Sequence, residues 1–184
     1  MKRCFDVIAS AAALLLLLPL FGCIALLILL DDGRPVLYRQ GRVGKGNKLF
    51  RICKFRTMRK DTPNAAQCEM KGSDLYTRSG KLLRRLSLDE LPQLCNILAG
   101  DMSFVGPRPL IPEETEIRAL RASAGIYDLS PGLTGWAQVN GRATLNDREK
   151  VRLDAEYRQK RTLKLDIVIL IKTAAQVLTG KDAE

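Results

Sequence analysis

Val7-Ile-Ala-Ser-Ala-Ala-Ala-Leu-Leu-Leu-Leu-Leu-Pro-Leu-Phe-Gly-Cys-Ile-Ala-Leu-Leu-Ile-Leu-Leu30 is the stretch on which the reading of this chain turns. It carries no charge over 24 residues, and as a helix rising about 1.5 Å per residue it has the length to cross a bilayer. A single spanning helix meets two objections. Pro19 falls near the middle, where its missing N–H and its ring bend a helix. Lys2 and Arg3 precede the run while Arg34, Arg39, Arg42 and Lys45 follow it, so a spanning helix would place basic residues on both sides of the membrane. A helix that enters, bends at Pro19 and returns keeps them all on one side. Leu20-Phe-Gly-Cys23 faintly resembles a lipoprotein cleavage site, but the apolar run continues beyond it and no A-x-A follows, so the segment is read as retained. The pattern predicts a re-entrant helix-break-helix over 1–32, with Lys2, Arg3 and Pro19 as its anchor and bend, and a single unit over 33–184.

The charge distribution points outward from that hairpin. The chain of 184 residues has a formal net charge of +10. Between Asp31 and Lys60 ten Lys or Arg face two Asp, and a basic block beside an apolar segment is suited to anionic headgroups. A strongly basic chain takes an acidic partner: nucleic acid, an anionic membrane or a phosphorylated substrate. Aromatic residues make up only 5%, which serves base stacking poorly. The five cysteines are widely spaced, with no C-x-x-C pair, so neither a disulfide framework nor a zinc site is indicated. Histidine is absent. Acid–base or nucleophilic chemistry must then come from carboxylates, thiols, hydroxyls or lysine.

Further along, Val36–Gln40 and Leu49–Phe55 flank a glycine-rich tip and read as a β-hairpin. Gly41 and Gly46 have P-loop spacing, but Asn47 stands where lysine is required, which excludes a Walker motif. Residues 61–74 read as a loop and 81–86 as helix. Ser87-Leu-Asp-Glu90 matches the S-x-x-E capping box and predicts a helix to about Leu98, with Asp89 and Glu90 in its first turn, where the dipole favours ionised carboxylates and attracts phosphate. Arg84, Arg85 and Arg108 flank that pair; a capped surface helix with solvated charges reads equally well from these residues alone. Residues 112–124, 146–160 and 163–178 read as helices, the last strongly apolar but too short to span, and suited to a membrane interface or to the core. Ser130 to Arg142 is rich in turn formers and reads as a loop.

Ser87-Leu-Asp-Glu-Leu91, followed by Gly100-Asp-Met-Ser-Phe-Val-Gly-Pro-Arg-Pro-Leu110, resembles the monotopic phosphoglycosyl transferases, the bacterial sugar transferase family. Lys2-Arg3 with Phe5-Asp6, Lys54-Phe-Arg-Thr-Met58 and Pro131-Gly-Leu-Thr-Gly-Trp-Ala-Gln-Val-Asn-Gly-Arg142 are similar to its other blocks, so the resemblance covers nearly the whole chain. It implies an enzyme of the bacterial inner membrane with its catalytic domain on the cytosolic face. Such an enzyme moves a sugar 1-phosphate from a UDP-sugar to undecaprenyl or another polyprenyl phosphate and releases UMP, starting the assembly of a surface glycan or a glycoprotein glycan. By the same resemblance Asp89 is the nucleophile, forming a covalent aspartyl-phosphosugar intermediate, and a ligand of Mg²⁺. Glu90 positions or deprotonates groups around it, Arg84 and Arg108 hold phosphates, and Arg142 lies near the nucleotide. In the family a serine usually precedes the helix-breaking proline; here Leu18 does. The chain lacks the additional membrane helices of larger relatives and looks like a minimal catalytic unit.

The expected fold is mostly α with a small β-hairpin: a re-entrant membrane hairpin and interfacial amphipathic helices around a compact cytosolic catalytic domain. Expected partners are the UDP-sugar, polyprenyl phosphate and an anionic lipid bilayer, with no nucleic acid. The competing readings are a membrane-tethered basic module that binds nucleic acid and a membrane adaptor without activity.

Overall fold

Residues 2–62, 75–141 and 144–179 are described by a computed structural model. The apolar run folds as two helices, α1 (Lys2–Leu16) and α2 (Leu18–Asp32), which meet at a bend of 61°. Pro19 lies in the first turn of α2, where the N–H it lacks would have no partner, so the proline starts a second helix rather than interrupting one. Among the described residues no single helix is long and apolar enough to cross a membrane; the bent pair passes that test together by length and composition.

Each arm of the pair lays one face on the rest of the chain. Ile24 and Ile28 of α2 are buried with Phe55 and Leu83, and Ala13, Leu14 and Leu17 pack on the cluster of Ile52, Leu94, Ile97 and Met102. Ile8, Leu15, Leu16, Leu18 and Leu30 point away and are exposed. The start of α1 is held by polar contacts. Lys2 pairs with Asp166 at 2.6 Å, and Asp6 accepts from the Ser103 hydroxyl at 2.9 Å. Arg3 donates to the Ile97 and Leu98 carbonyls at a helix C-terminus, the Ile97 carbonyl also accepting the Gly100 N–H.

Strands β1 (Leu37–Val43) and β2 (Leu49–Phe55) form the expected hairpin, antiparallel, with Tyr38 opposite Lys54 and Arg42 opposite Phe50. Then come α3 (Arg78–Arg85), capped by Thr77, a single 3-10 turn at Leu88–Glu90, and α4 (Gln93–Ala99). Here the structure departs from the sequence pattern. Ser87 makes no capping bond and takes a left-handed conformation, φ 54°, and the helix begins only after Pro92. A helix capped at Ser87 would have put Pro92 in its interior, with its ring against the Leu88 carbonyl. The capping box that does form is Asn146 with Glu149, at the head of α7 (Asp147–Lys160).

The stretch from Ser130, read as a loop, contains a strand and a short helix. β3 (Ser103–Val105) pairs in parallel with β4 (Gly132–Thr134), and α6 (Trp136–Val139) follows. Three-residue strands are too short to display alternation. Glycine is required at this crossing: a Cβ on Gly132 would lie 2.1 Å from the Gly106 nitrogen, and one on Gly106 would lie 2.3 Å from the Ser130 carbonyl oxygen. α5 (Thr115–Ser123) starts three residues later than the pattern suggests, after a turn in which the Glu114 carboxylate accepts the Ile111 N–H. α8 (Leu163–Thr179) buries Asp166 and Ile169 and exposes Leu163, Ile167, Val168 and Ile171. Of the expected loop at 61–74, residues 63–74 lie outside the described residues.

Candidate active site

A cleft of about 640 Å³ opens between the hairpin and the second half of the chain. Its wall on β1 is made by Tyr38, Gln40 and Arg42, alternate residues that share one face of the strand. Lys54 from β2 and the chain after it, Arg56 to Lys60, continue that wall. Opposite stand Arg108, at the tip of the loop after β3, and side chains of α5, α6 and α7. The hairpin and this loop are joined directly, since the Val43 N–H donates to the Leu110 carbonyl at 2.8 Å.

Asp89 and Glu90 enter on the 3-10 turn, which Leu88 and Leu91 fasten to the α2 core. Asp89 is buried, 7% exposed. Burial pushes its carboxyl above the ordinary carboxylate range, the neighbouring Glu90 charge adds to this, and Lys54 and Arg84 act against it. The dipole of a capped helix is therefore not what governs this carboxylate, contrary to the reading of Ser87–Glu90 as a helix start. Glu90 is half-buried and pairs with Lys54, Nζ to Oε1, at 2.6 Å. The Arg84 guanidinium stacks over the Tyr76 ring, 4.8 Å from its centroid.

Arg108 is exposed on its loop. Its carbonyl accepts from Arg121 of α5 at 2.7 Å, and Arg121 is paired with Asp154 of α7 at 2.7 Å. This ion pair is buried at the floor of the cleft, and burial raises the Asp154 carboxyl while Arg121 lowers it. Among the described residues, nine Lys or Arg side chains line the cleft against four carboxylates. A concave, basic surface that contains an acidic pair is suited in charge to polyanionic ligands.

Arg84, Asp89 and Glu90, close in sequence, share this cleft with Arg108 from the loop after β3. Arg142 lies outside the described residues. Lys2, Arg3 and Pro19 are elsewhere, the first two engaged with Asp166 and the end of α4, Pro19 exposed at the bend. The sequence pattern did not single out Lys54, Arg121 or Asp154. Lys54 sits in the Lys54-Phe-Arg-Thr-Met58 block on an alternating strand, which is a usable signal; Arg121 and Asp154 lie on separate polar helices, and nothing local marks them as partners.

Asp89 and Glu90 are the adjacent carboxylates that this cleft could offer a divalent cation. Two carboxylates repel one another at Asp89 and Glu90. No group of three or more His, Cys, Asp and Glu assembles among the described residues, and Mg²⁺ is commonly held by one or two carboxylates with substrate phosphates.

The family described as bacterial sugar transferase matches residues 1–180. The chain belongs to the bacterial sugar transferase family and is a transferase. It is 41% identical over 191 residues to the UDP-glucose:undecaprenyl-phosphate glucose-1-phosphate transferase of Caulobacter vibrioides, covering 99% of this chain and 71% of that protein. It is 40% identical to the exopolysaccharide production protein ExoY of Rhizobium meliloti, covering 98% of this chain and 86% of that one. The undecaprenyl-phosphate glucose phosphotransferase of Komagataeibacter xylinus is also 41% identical, over 99% of this chain, but the match spans only 36% of its length.

Proposed function

We propose that the protein transfers a sugar 1-phosphate from a UDP-sugar to undecaprenyl or another polyprenyl phosphate at the cytosolic face of the bacterial inner membrane, with UMP as the leaving group. The observation that carries this reading is a buried Asp89 beside Glu90 inside a cleft that nine cationic side chains line among the described residues, in a chain whose relatives are named for transfer to undecaprenyl phosphate.

The chemistry is a double displacement. An oxygen of the Asp89 carboxylate attacks the sugar-bearing phosphorus, a P–O bond forms, and the bond to the bridging oxygen breaks, that oxygen leaving with UMP. An oxygen of the lipid phosphate then attacks the same phosphorus, the aspartyl bond breaks, and Asp89 recovers its charge. No proton need move in either step when both phosphates arrive ionised. Asp89 must be ionised to attack, and its buried setting makes it more basic than a surface carboxylate. Lys54 holds Glu90 in place, while Arg84 and Arg108 meet the phosphate oxygens, for which planar guanidinium groups are suited. Mg²⁺ would be held by Asp89, with Glu90 beside it, and when bound supplies charge neutralisation for phosphoryl transfer.

The outer apolar faces of α1, α2 and α8 support a re-entrant seat in the bilayer, with α1 and α2 entering and leaving by the cytosolic face. The direct test supplies UDP-sugars with Mg²⁺ and no lipid acceptor: about one UMP per site is released, and the peptide containing Asp89 gains the mass of a sugar phosphate. UMP that appears only after lipid is added refutes the covalent step. A panel of UDP-sugars identifies the donor.

A further inference from the structure

The cleft has two unlike ends, and β1 sets their separation. Tyr38 and Arg42 are four residues apart on one strand face, about 13 Å at roughly 3.3 Å per residue. Arg42 lies at the Arg108 end, within reach of the Pro109 carbonyl at 3.4 Å. Tyr38 lies opposite Lys54, at the other end, where Pro35, Met58 and Tyr76 supply an apolar and aromatic wall beneath Arg84.

The Tyr38 end is fastened to the exit of the apolar hairpin. Arg56 is buried, donates to the Asp32 and Gly33 carbonyls at 3.1 and 2.7 Å, and pairs with the Asp32 carboxylate at 3.2 Å. The Lys60 N–H donates to that same carboxylate at 3.0 Å. Asp32 is the last residue of α2, so whatever depth α2 takes in a bilayer, residues 56–60 stand at its polar boundary. Arg59 and Lys60 line the cleft there with exposed side chains that form no ion pair among the described residues.

We infer that the end bounded by Arg59, Lys60, Tyr38, Met58 and Tyr76 is the entry for the phosphate of the lipid acceptor, distinct from the Arg42–Arg108 end. This rests on the transferase reading given above. The ligand is a phosphate monoester on an isoprenoid chain. Arg59 and Lys60 take its head from the bilayer surface, Arg84 receives it beside Asp89, and the first isoprenoid carbons lie along Tyr38, Met58 and Tyr76. An amphiphile entering sideways from the membrane thus meets cations at headgroup level and an apolar wall behind them, while the nucleotide sugar is left the opposite, more polar end.

The test uses the full chain in detergent or nanodiscs, with Arg59→Gln and Lys60→Gln combined. The matched control combines Arg148→Gln with Arg152→Gln, which removes the same charge from an exposed part of α7. KM is measured for polyprenyl phosphate and for the UDP-sugar, together with binding to phosphatidylglycerol vesicles. Loss of two charged contacts raises KM for the acceptor at least about tenfold more than KM for the donor; the control changes neither. Inorganic phosphate competes weakly with the acceptor against wild type and no better against the variant. Equal rises for donor and acceptor, or no rise for the acceptor, overturn the assignment while leaving the transferase reading in place. Loss of vesicle binding in proportion to the acceptor effect also overturns it, since the two cations would then be general headgroup contacts. Absence of UMP from wild type with any UDP-sugar, acceptor present, is instead a failure of the transferase reading itself.

Discussion

Arg121→Met isolates the buried ion pair at the cleft floor. Arg121 and Asp154 are 4% and 2% exposed, and removing one partner leaves the other charge buried and unpaired, a cost of about 3–5 kcal/mol. The lost bond to the Arg108 carbonyl adds about 1 kcal/mol. In a chain of 184 residues each kcal/mol moves the melting temperature by about 2–4 °C, so Arg121→Met should melt roughly 8–24 °C lower than wild type. The deficit depends on pH in a defined direction. Burial already raises Asp154 and Arg121 is what lowers it, so in the variant Asp154 holds a proton more tightly folded than unfolded. Stability then falls as pH rises from the ordinary carboxylate value through the raised one, and the gap to wild type is narrower at pH 5 than at pH 8. Adding Asp154→Leu removes the stranded charge and restores most of the melting temperature but not the hold on Arg108, so the double variant regains stability while KM for the UDP-sugar stays raised. Thermal melts at the two pH values, with KM for both substrates, provide the readouts. A single variant within about 1 kcal/mol of wild type, or a double variant no more stable than the single, refutes the reasoning.

Asp89→Asn should abolish UMP release and the covalent adduct, yet melt above wild type at neutral pH. The folded state raises this carboxyl above 3.8, so the penalty for its charge is present above that window and fades as pH falls toward 3.8; a melt lower than wild type at pH 7.5 contradicts this. Lys54→Met removes a cation that lowers Asp89, so the acid limb of kcat/KM should move to higher pH; a limb that stays put separates Lys54 from Asp89. Gly132→Ala places a Cβ 2.1 Å from backbone nitrogen and should cost at least about 2 kcal/mol, because main chain rather than a flexible side chain must yield. Labelling an engineered cysteine at position 2 from the cytosolic side alone is expected of the re-entrant seat, and labelling only from the periplasm refutes it.

The elements written in long periods were legible. A 24-residue apolar run with a central proline gives two helices and a bend, and the alternation of Leu49–Phe55 gives a strand. Ser87-Leu-Asp-Glu90 misled because a capping box is a local pattern and Pro92, two residues beyond it, decides whether the helix can exist. The Asn146–Glu149 box has no such obstacle and forms. The four cleft residues Arg84, Asp89, Glu90 and Arg108 were nameable because they cluster around one motif. Tyr38, Arg56 and Arg121 were not, because their significance comes from pairing across the fold: Arg56 with carbonyls 22 to 24 residues away, and Arg121 with a carboxylate two helices on. Residues 103–105 and 132–134 pair through glycines whose absence of a side chain is the signal, and an absent side chain has no periodicity.

The polar grip on the start of α1 has a consequence for the order in which the protein is made. Lys2, Arg3 and Asp6 emerge well before their partners, which lie 164, 94 and 97 residues downstream. While the chain is being synthesised, α1 and α2 exist without the surface that later covers their inner faces, and chains generally fold from the N-terminus onward. Whatever receives the emerging apolar pair must hold it until these partners are made and still leave its polar tip free to dock, and the Lys2–Asp166 contact closes only after Asp166 of α8 has left the ribosome.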